Sequence, residues 1–255
     1  MNEPAPSDQS HAASLSVIVP LFNEEATIES ILQRVLSQEC VSQILVVDDA
    51  SADGSFKIAD KVAAMDSRVL LLRHSRNSGK GACIRTALPH ATGDIVLIQD
   101  ADLEYNPADY ARLIALIVEN RADVVIGNRR DEGNIGGRSR YFLQGFANRL
   151  STWAANAFLA RPLSDVHCGY KAFRRSWLQG IVIQESRFGV DIELALKASR
   201  MRARIEQVAI GYHARSYADG KKIGWRDALR TPLVIVKYGL LGAFTSPRRQ
   251  AARTA

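Results

Sequence analysis

The chain has 255 residues with a hydrophobic fraction of 47% and a charged fraction of 24%, which fits a globular protein and excludes a disordered or fibrous chain. Its three cysteines, Cys40, Cys83 and Cys168, lack the pairwise spacing of a zinc site or a disulfide framework and indicate a reducing compartment. The formal net charge is +6, and residues 200–255 hold twelve Lys or Arg against three acidic residues. This basic C-terminal quarter predicts an anionic partner, which could be nucleic acid, phospholipid or a phosphorylated substrate.

The length predicts one large α/β domain with short appendages. Residues 1–14 are polar, contain Pro4 and Pro6 and have no apolar core, so we expect a disordered tail rather than a signal peptide. We assign the folded domain to residues 15–225, a C-terminal helix to residues 226–244 and a basic disordered tail to residues 245–255. No apolar stretch reaches the roughly 18–20 residues needed to span a bilayer.

The first half of the chain alternates strand and helix patterns. Apolar runs predict strands at residues 15–22, 44–47, 69–72, 95–98 and 124–126. Helical spacing predicts helices over residues 24–37 and 81–91, a helix capped by Ser51 after the second strand, and a helix starting near Pro107. This regular alternation predicts a mainly parallel sheet covered by helices on both faces.

The second half has a different pattern. Apolar residues recur at helical spacing at Phe142, Phe146, Leu150, Trp153 and Ala157. This stripe predicts a core-facing helix surface, with a hydrophobic groove or a membrane contact as the alternative. An extended segment at 165–174, a helix at 191–200 and a strand at 205–211 follow. Residues 232–244 form a short apolar segment, which fits a core-packed helix and an interfacial helix equally well.

Polar residues directly follow the predicted strands of the first half. They are Asn23, Glu24, Asp48, Asp49, Asp100, Asp102, Asn128 and Arg129. Because the carboxyl ends of parallel strands meet at one edge of a sheet, we expect these side chains to share one rim, where open α/β folds bind ligands.

Asp100 and Asp102, separated only by Ala101, are the most informative of these residues. Two carboxylates this close repel one another unless a cation lies between them, and hard oxygen ligands suit Mg²⁺ or Mn²⁺ that bridges the phosphates of a substrate. An isolated Asp-x-Asp is more often a solvated acidic turn. The convergence of the other strand ends favours the metal site instead.

Two other nucleotide-binding designs are missing from the sequence. Residues 77–81, Asn-Ser-Gly-Lys-Gly, lack the first Gly and the final Ser or Thr of a phosphate-binding loop. The first strand does not lead into Gly-x-Gly-x-x-Gly, which argues against a dinucleotide dehydrogenase. Paired carboxylates with nearby basic residues instead suit transfer from a diphosphate-activated donor.

Four ordered motifs resemble those of a known family: Val-Ile-Val-Pro-Leu-Phe-Asn-Glu at 17–24, Val-Val-Asp-Asp-Ala-Ser-Ala-Asp-Gly-Ser at 46–55, Asn-Ser-Gly-Lys-Gly at 77–81 and Gln-Asp-Ala-Asp-Leu-Glu at 99–104. Together they look like a family 2 glycosyltransferase of the GT-A fold. Segments at 165–174, 187–193 and 212–224 resemble its polyprenyl-phosphate branch, typified by dolichol-phosphate mannose synthase. The resemblance implies an α/β, Rossmann-like, mainly parallel sheet with helices on both faces and a C-terminal extension on the acceptor side.

The resemblance also implies roles for the matching residues. Contacts with the nucleotide sugar are implied for Pro20, Phe22, Glu24, Val47, Asp49, Lys80, Asp100, Ala101, Asp102 and Arg129. Arg138 is implied to bind from the acceptor loop, and a late basic pair that binds phosphate is implied for Arg215 with Lys222, or with Lys221 in its place. Metal ligation, with Mg²⁺ or Mn²⁺ as the cofactor, is implied for Asp100, Asp102 and Glu104. Direct parts in catalysis are implied for Asp102, Arg129, Arg215 and Asp191.

The implied reaction is a direct displacement that inverts the anomeric carbon. The leading hypothesis is transfer from GDP-mannose, UDP-glucose or a related donor to a polyprenyl phosphate, by a cytoplasmic protein in peripheral contact with anionic lipid on the cytoplasmic membrane face. A hydroxyl acceptor in polysaccharide or glycolipid synthesis is the alternative. It would need a general base, for which Asp191 and Glu193 are the candidates unless they only pair with a helix dipole. A basic nucleic-acid-binding module is a distant third hypothesis, and we expect no nucleic-acid partner.

Overall fold

The computed structural model describes residues 13–129, 142–214 and 225–240. Within these residues, seven strands form one sheet in the order β3-β2-β1-β4-β6-β5-β7. The strands are β1 (Leu15–Leu21), β2 (Val41–Asp48), β3 (Val69–Arg73), β4 (Ile95–Ile98), β5 (Val124–Asn128), β6 (Lys171–Arg174) and β7 (Ile205–Ala209). All neighbouring strands except the two pairs that involve β6 are parallel. The predicted mainly parallel α/β architecture is confirmed.

The helices account for most of the remaining described chain. They are α1 (Ile28–Leu36), α2 (Ser55–Met65), α3 (Lys80–Ala87), α4 (Tyr110–Val118), α5 (Phe142–Asn156), α6 (Arg175–Gln179), α7 (Val190–Arg200) and α8 (Trp225–Gly239). The apolar spacing that predicted α1 corresponds to its buried side, formed by Ile28, Ile31, Leu32 and Val35. Every residue of β4 is buried, as expected for a strand between two others.

Ser51 does not cap α2, so this prediction is wrong. The helix begins at Ser55, with Gly54 before it. The Ser51 hydroxyl instead accepts the backbone N–H of Asn23 at 3.0 Å, and Asn23 Oδ1 accepts the N–H of Ala52 at 2.8 Å. Because these bonds join the ends of β1 and β2, the serine fixes two loops at the rim of the sheet rather than a helix terminus.

The extended segment predicted at 165–174 ends in β6, but the antiparallel insertion of this strand between β4 and β5 was not predicted. Ile98 of β4 and Ile126 of β5 both pair with Lys171, the first residue of β6. The segment that precedes Lys171 therefore lies at the carboxyl ends of β4 and β5. A strand that runs opposite to its neighbours thus delivers residues 165–170 to the rim where the polar strand ends meet.

The C-terminal helix α8 is core-packed on one side and exposed on another. Val234, Ile235 and Tyr238 are buried, whereas Leu233 and Val236 are 70% and 45% exposed. One side of the helix is therefore core-packed, and the interfacial alternative stays a prediction for the exposed side. Residues 241–244 of the predicted segment and the two predicted tails, apart from residues 13 and 14, lie outside the described residues.

A buried carboxylate anchors α8 to the domain. Glu185 accepts hydrogen bonds from Arg230 Nε at 3.0 Å, Lys237 Nζ at 3.1 Å and the Tyr238 hydroxyl at 3.0 Å. Burial alone would raise the pKa of Glu185, but these three partners outweigh it and hold the pKa below its ordinary value. The helix is therefore held by a charged cluster as well as by apolar packing.

The predicted core-facing stripe on α5 is wrong where its side chains are described. Leu150 and Trp153 are 55% and 74% exposed, and the buried positions are Thr152 and Ala155. Apolar spacing identifies a face of a helix but not what covers it. The side chains at 142 and 146 lie outside the described residues. None of the helices in the described part of the chain is long and apolar enough to cross a membrane.

Candidate active site

A buried amide holds the turn that follows β4. Gln99 is fully buried, and its Oε1 accepts the hydroxyls of Tyr110 and Tyr170 at 2.7 and 2.6 Å. Its Nε2 donates to the carbonyl of Asp100 at 2.8 Å. A satisfied buried network of this kind rigidifies its surroundings, so it fixes the backbone from which Asp100 and Asp102 project.

Asp100 lies between a lysine and a glycine. Its Oδ1 is 2.8 Å from Lys80 Nζ, and its side chain is 25% exposed. A Cβ added at Gly169 would lie 2.2 Å from Asp100 Oδ2. The glycine therefore leaves room for the carboxylate, which keeps the solvent access that a metal ligand requires.

The acidic turn after Asp100 is held by a hydrogen bond within it and by hydrogen bonds to the segment after β7. Asp102 Oδ1 accepts the backbone N–H of Glu104 at 3.0 Å, and Glu104 Oε2 accepts the Tyr212 hydroxyl at 3.0 Å. The Glu104 carbonyl accepts the N–H of His213 at 2.9 Å. These bonds bring the chain just before Arg215 to the acidic turn.

The predicted metal ligands fit a divalent ion by their chemistry, because Asp100, Asp102 and Glu104 offer the hard oxygens that Mg²⁺ and Mn²⁺ prefer. Their ligand atoms are not gathered as tightly as those of a second group. Among the described residues, the group of three potential ligands whose atoms lie within 4.8 Å of one another is Asp49, His74 and Cys83.

Hydrogen bonding explains that second group without an ion. His74 Nδ1 lies 2.7 Å from Asp49 Oδ1, and its Nε2 lies 2.8 Å from the Thr86 hydroxyl. Burial and the nearby Asp49 charge raise the pKa of the Cys83 thiol, so it stays protonated. Because Asp49 and His74 already bond to one another and His74 also bonds to Thr86, these contacts account for the group without a metal ion.

A buried chain of alternating charges runs from Asp100 to β6. Lys80 Nζ also lies 3.3 Å from Asp191 Oδ2, and Lys171 Nζ lies 3.2 Å from Asp191 Oδ1. Burial alone would raise the pKa of Asp191, but the two lysines outweigh it and hold that pKa below its ordinary value. Burial would likewise lower the pKa of Lys80, and the two carboxylates instead raise it. Asp191, a predicted catalytic residue, is thus an ionised partner of two ammonium groups, and a carboxylate in that state is a weak proton acceptor.

Glu193, the other candidate base, is also engaged within the fold. It is fully buried, and its two carboxylate oxygens accept the backbone N–H groups of Gln184 and Glu185 at 2.7 and 2.8 Å. Lys197 Nζ lies 2.6 Å from Glu193 Oε1. The contacts of Glu193 therefore shape the segment before α7.

Asp49 organises the loop that carries Lys80. Its Oδ1 accepts the N–H of Ser78 at 2.8 Å, and its Oδ2 accepts the N–H of Gly79 at 2.6 Å. Gly79 has a φ of +94°, and a Cβ there would lie 2.4 Å from the Ser186 carbonyl oxygen, so this position requires glycine. A cavity of about 670 Å³ with basic residues in its lining opens beside the loop, and this volume is in the range of small-ligand pockets.

The structure brings the predicted donor-side residues of β1, β2 and β4 to the same rim. These are Pro20, Phe22, Glu24, Val47, Asp49 and Ala101. Pro20 and Val47 are partners in the β1–β2 pairing. The Thr27 hydroxyl lies 3.0 Å both from Glu24 Oε2 and from the Ala101 carbonyl, which joins the turns after β1 and β4.

Arg129, directly after β5, already has a counter-ion. It donates to Asp165 through two parallel hydrogen bonds, Nε to Oδ2 at 2.6 Å and Nη2 to Oδ1 at 3.0 Å. Its guanidinium carbon lies 4.9 Å from the ring centroid of Tyr212. Because buried Asp165 offsets its charge, Arg129 offers a phosphate a positioned donor rather than a full positive charge.

Sequence reasoning did not assign site roles to Asp165, Gly169, Lys171 and Tyr212. All four belong to the segments at 165–174 and 212–224 that carried part of the family resemblance. The resemblance therefore pointed to these segments but not to the roles of these four residues. The predicted roles of Arg138, Arg215, Lys221 and Lys222 stay predictions, because these residues lie outside the described part of the chain.

Comparison with known proteins agrees with this geometry. The profile described as glycosyl transferase family 2 matches residues 16–182. An undecaprenyl-phosphate mannosyltransferase of Micrococcus luteus is 29% identical over 218 residues, which cover 81% of this chain and 86% of that protein. An undecaprenyl-phosphate 4-deoxy-4-formamido-L-arabinose transferase of Proteus mirabilis is 26% identical, and the match covers 81% of this chain but 62% of that longer protein.

A solved structure shows the same fold. Glucosyl-3-phosphoglycerate synthase of Mycobacterium tuberculosis, in complex with Mn²⁺, uridine diphosphate and glucosyl-3-phosphoglycerate, superposes with a TM-score of 0.68 at 20% identity. The match covers 94% of this chain and 86% of that chain. With the family profile covering more than half of the sequence, the chain belongs to glycosyl transferase family 2 and is a glycosyltransferase of the GT-A fold.

Proposed function

We propose that the protein transfers a sugar from a nucleotide diphosphate sugar to a polyprenyl phosphate, with inversion at the anomeric carbon. By their names, the two relatives above both act on undecaprenyl phosphate, one with mannose and the other with a formamido-arabinose. The lipid phosphate is the feature that they share, and it is the feature that we carry over to this chain.

The observation that carries the choice of acceptor is the state of the two candidate bases. Asp191 is held between two lysines, and Glu193 is held by two backbone amides and Lys197. A hydroxyl acceptor would need a base able to take its proton, whereas a phosphate is already an anion near neutral pH. Because both candidates are committed to other contacts, the site suits a phosphate acceptor better.

Several residues of the chain would then have separate roles in binding the nucleotide sugar. Asp100, Asp102 and Glu104 would hold a divalent cation, for which the Mn²⁺ in the structural neighbour is supporting evidence. When bound, such a cation offsets the charge that develops on the leaving diphosphate. Asp49 holds the loop of Lys80 in place, and Arg129 presents a guanidinium oriented by Asp165.

Product analysis tests this proposal. The purified protein is incubated with Mn²⁺, a panel of GDP- and UDP-sugars, and either undecaprenyl phosphate or a hydroxyl-bearing glycolipid. We expect a lipid-linked sugar phosphate that is lost in Asp102→Asn. Glycosylation of the hydroxyl acceptor alone would refute the phosphate acceptor while leaving the family assignment intact.

We further propose that the protein meets its acceptor through peripheral contact with an anionic membrane. Leu233, Val236 and Leu240 form an exposed apolar surface in and just after α8, and Leu150 and Trp153 are exposed on α5, which packs against α8. An exposed apolar patch is typical of an interaction site. Arg230 and Lys237 are exposed but paired with Glu185, so attraction to lipid headgroups would come mainly from the other basic residues of the C-terminal quarter.

Co-sedimentation with vesicles tests the membrane contact. We expect salt-sensitive binding to phosphatidylglycerol vesicles, and less binding after the double substitution of Leu233→Ser and Val236→Ser. These side chains are exposed, so the core should remain intact, which deletion of α8 would not allow because Tyr238 is buried. Met65→Ser is the matched control, since Met65 is 80% exposed at the end of α2. Equal binding by all three proteins would contradict a contact through α8.

A further inference from the structure

We propose that Lys80 is a built-in counter-ion of the Asp100 carboxylate, held in place by Asp191 and Lys171 as positioning residues. In consequence, a divalent cation alone binds this site weakly and binds well only together with a nucleotide diphosphate. The inference deepens the proposed function, on which it rests in taking Asp100 as a metal ligand.

The first support is the position of the ammonium group. Lys80 Nζ lies 2.8 Å from Asp100 Oδ1 and 3.3 Å from Asp191 Oδ2, so it bridges a carboxylate at the rim and one in the interior. The side chain of Lys80 is only 6% exposed. A charge this well enclosed is weakly screened by solvent and salt, so it remains a strong influence on anything that approaches Asp100.

The second support is the rigidity of the far end of the chain of charges. Lys171 is fully buried in β6, and its ammonium donates to the Val166 and Cys168 carbonyls as well as to Asp191. Asp191 lies in the first turn of α7, and Lys80 begins α3. A functional group supported by regular elements keeps its geometry better than one held by loops alone. The pairing of Lys80 with Asp100 is thus fixed from three elements.

The third support is the balance of charge. Asp100 and Asp191 supply two negative charges, and Lys80 and Lys171 supply two positive charges. These four side chains are therefore neutral as a group. A cation that arrives alone at Asp100 meets a like charge 2.8 Å from its ligand. A diphosphate adds negative charge at the same place, which offsets that repulsion and favours joint binding.

Mn²⁺ binding to the full chain tests the inference without any reaction. Free Mn²⁺ is measured by electron paramagnetic resonance during titration of the wild-type protein and of each variant, with and without UDP or GDP. For Lys80→Met we expect Mn²⁺ alone to bind roughly tenfold more tightly or better, because the competing charge is gone. The gain in Mn²⁺ affinity caused by the nucleotide should shrink in the same variant.

The positioning residues give effects of opposite sign. Asp191→Asn makes the site more positive and should weaken the binding of Mn²⁺ alone, whereas Lys171→Met makes it more negative and should tighten it by a smaller factor than Lys80→Met does. Lys80→Arg keeps the charge and should restore weak binding. Lys197→Met, which removes a lysine paired with buried Glu193 on the same helix as Asp191, is the matched control and should bind Mn²⁺ like the wild type.

Two outcomes separate this inference from the proposed function. If Asp102→Asn leaves Mn²⁺ binding unchanged, the metal site itself is wrong. If Asp102→Asn weakens Mn²⁺ binding but Lys80→Met does not strengthen it, the metal site stands and the counter-ion role is refuted. Should Lys80→Met fail to fold, as judged by thermal unfolding, Lys80→Gln takes its place with the same expected sign, and unchanged Mn²⁺ affinity there refutes the role equally.

Discussion

Gly169→Ala would test whether the position of Asp100 limits catalysis. A Cβ at residue 169 would lie 2.2 Å from Asp100 Oδ2 and 3.2 Å from Tyr105 Cε2. The tyrosine ring is buried and stacked on Tyr170 with ring centroids 4.5 Å apart, so the carboxylate is the group that has to move. It must shift by about 1.3 Å to reach an ordinary contact distance of roughly 3.5 Å.

The cost of that shift can be bounded in both stability and rate. Overpacking by one methyl group typically costs about 1–3 kcal/mol, which for a chain of this size lowers the unfolding midpoint by roughly 3–10 °C. A misplacement of about 1 Å in a catalytic group can cost on the order of a hundredfold in rate. We therefore expect turnover to fall by about one to two orders of magnitude in a protein that remains folded at assay temperature.

The assay is initial-rate sugar transfer to undecaprenyl phosphate with Mn²⁺, accompanied by differential scanning calorimetry. Gly180→Ala is the matched control, because the nearest atom to its added Cβ is the flexible Met201 methyl at 3.3 Å. It should retain turnover. Wild-type turnover in Gly169→Ala would show that Asp100 can move without loss of activity, so its position would not limit catalysis.

Three further predictions follow from the site. Asp102→Asn should abolish turnover, because the charge of a metal ligand is lost. The unfolding midpoint should change little, because the amide oxygen can still accept the Glu104 N–H. Turnover that survives chelation of all metal would contradict this. Arg129→Lys should lower the free energy of unfolding by roughly 1–3 kcal/mol, because lysine keeps the charge but loses the two parallel hydrogen bonds to Asp165. Urea-induced unfolding measures this change, and an unchanged urea midpoint would contradict it. Burial lowers the pKa of His167 to about 4. Between about pH 6.5 and pH 4 the unfolded chain therefore protonates this side chain while the folded protein does not, so stability should fall as pH decreases through that window. His167→Gln should reduce that fall by up to roughly 3 kcal/mol in urea titrations at several pH values, and an unaltered pH dependence would disprove the assignment.

The order of residues was enough to predict the mainly parallel α/β architecture, the polar rim at the strand ends and the family. Local patterns suffice for these features, because a buried parallel strand has to be a short apolar run and its carboxyl end has to carry the polar residues that face solvent. The run from Ile95 to Ile98 followed by Asp100 and Asp102 is such a case: burial of the first part and exposure of the second are both visible in the order of residues.

The partners of the charged residues depend on contacts between distant segments of the chain. Lys80 and Asp191 are 111 positions apart, and Lys171 is 20 positions from Asp191, so no local pattern could predict that one carboxylate lies between two lysines. The antiparallel insertion of β6 creates this arrangement, because it delivers Lys171 and the preceding Gly169 to the ends of β4 and β5.

The apolar surfaces of the C-terminal half show the same division. Helical spacing identified an apolar face on α5, and a short apolar segment indicated α8, but whether such side chains meet the core depends on which elements pack beside them. Trp153 is 74% exposed although it belongs to the apolar stripe, whereas Tyr238 is buried and donates its hydroxyl to Glu185. The pattern of residues fixes which side chains share a face, and only the packing of distant segments decides which of them meet solvent.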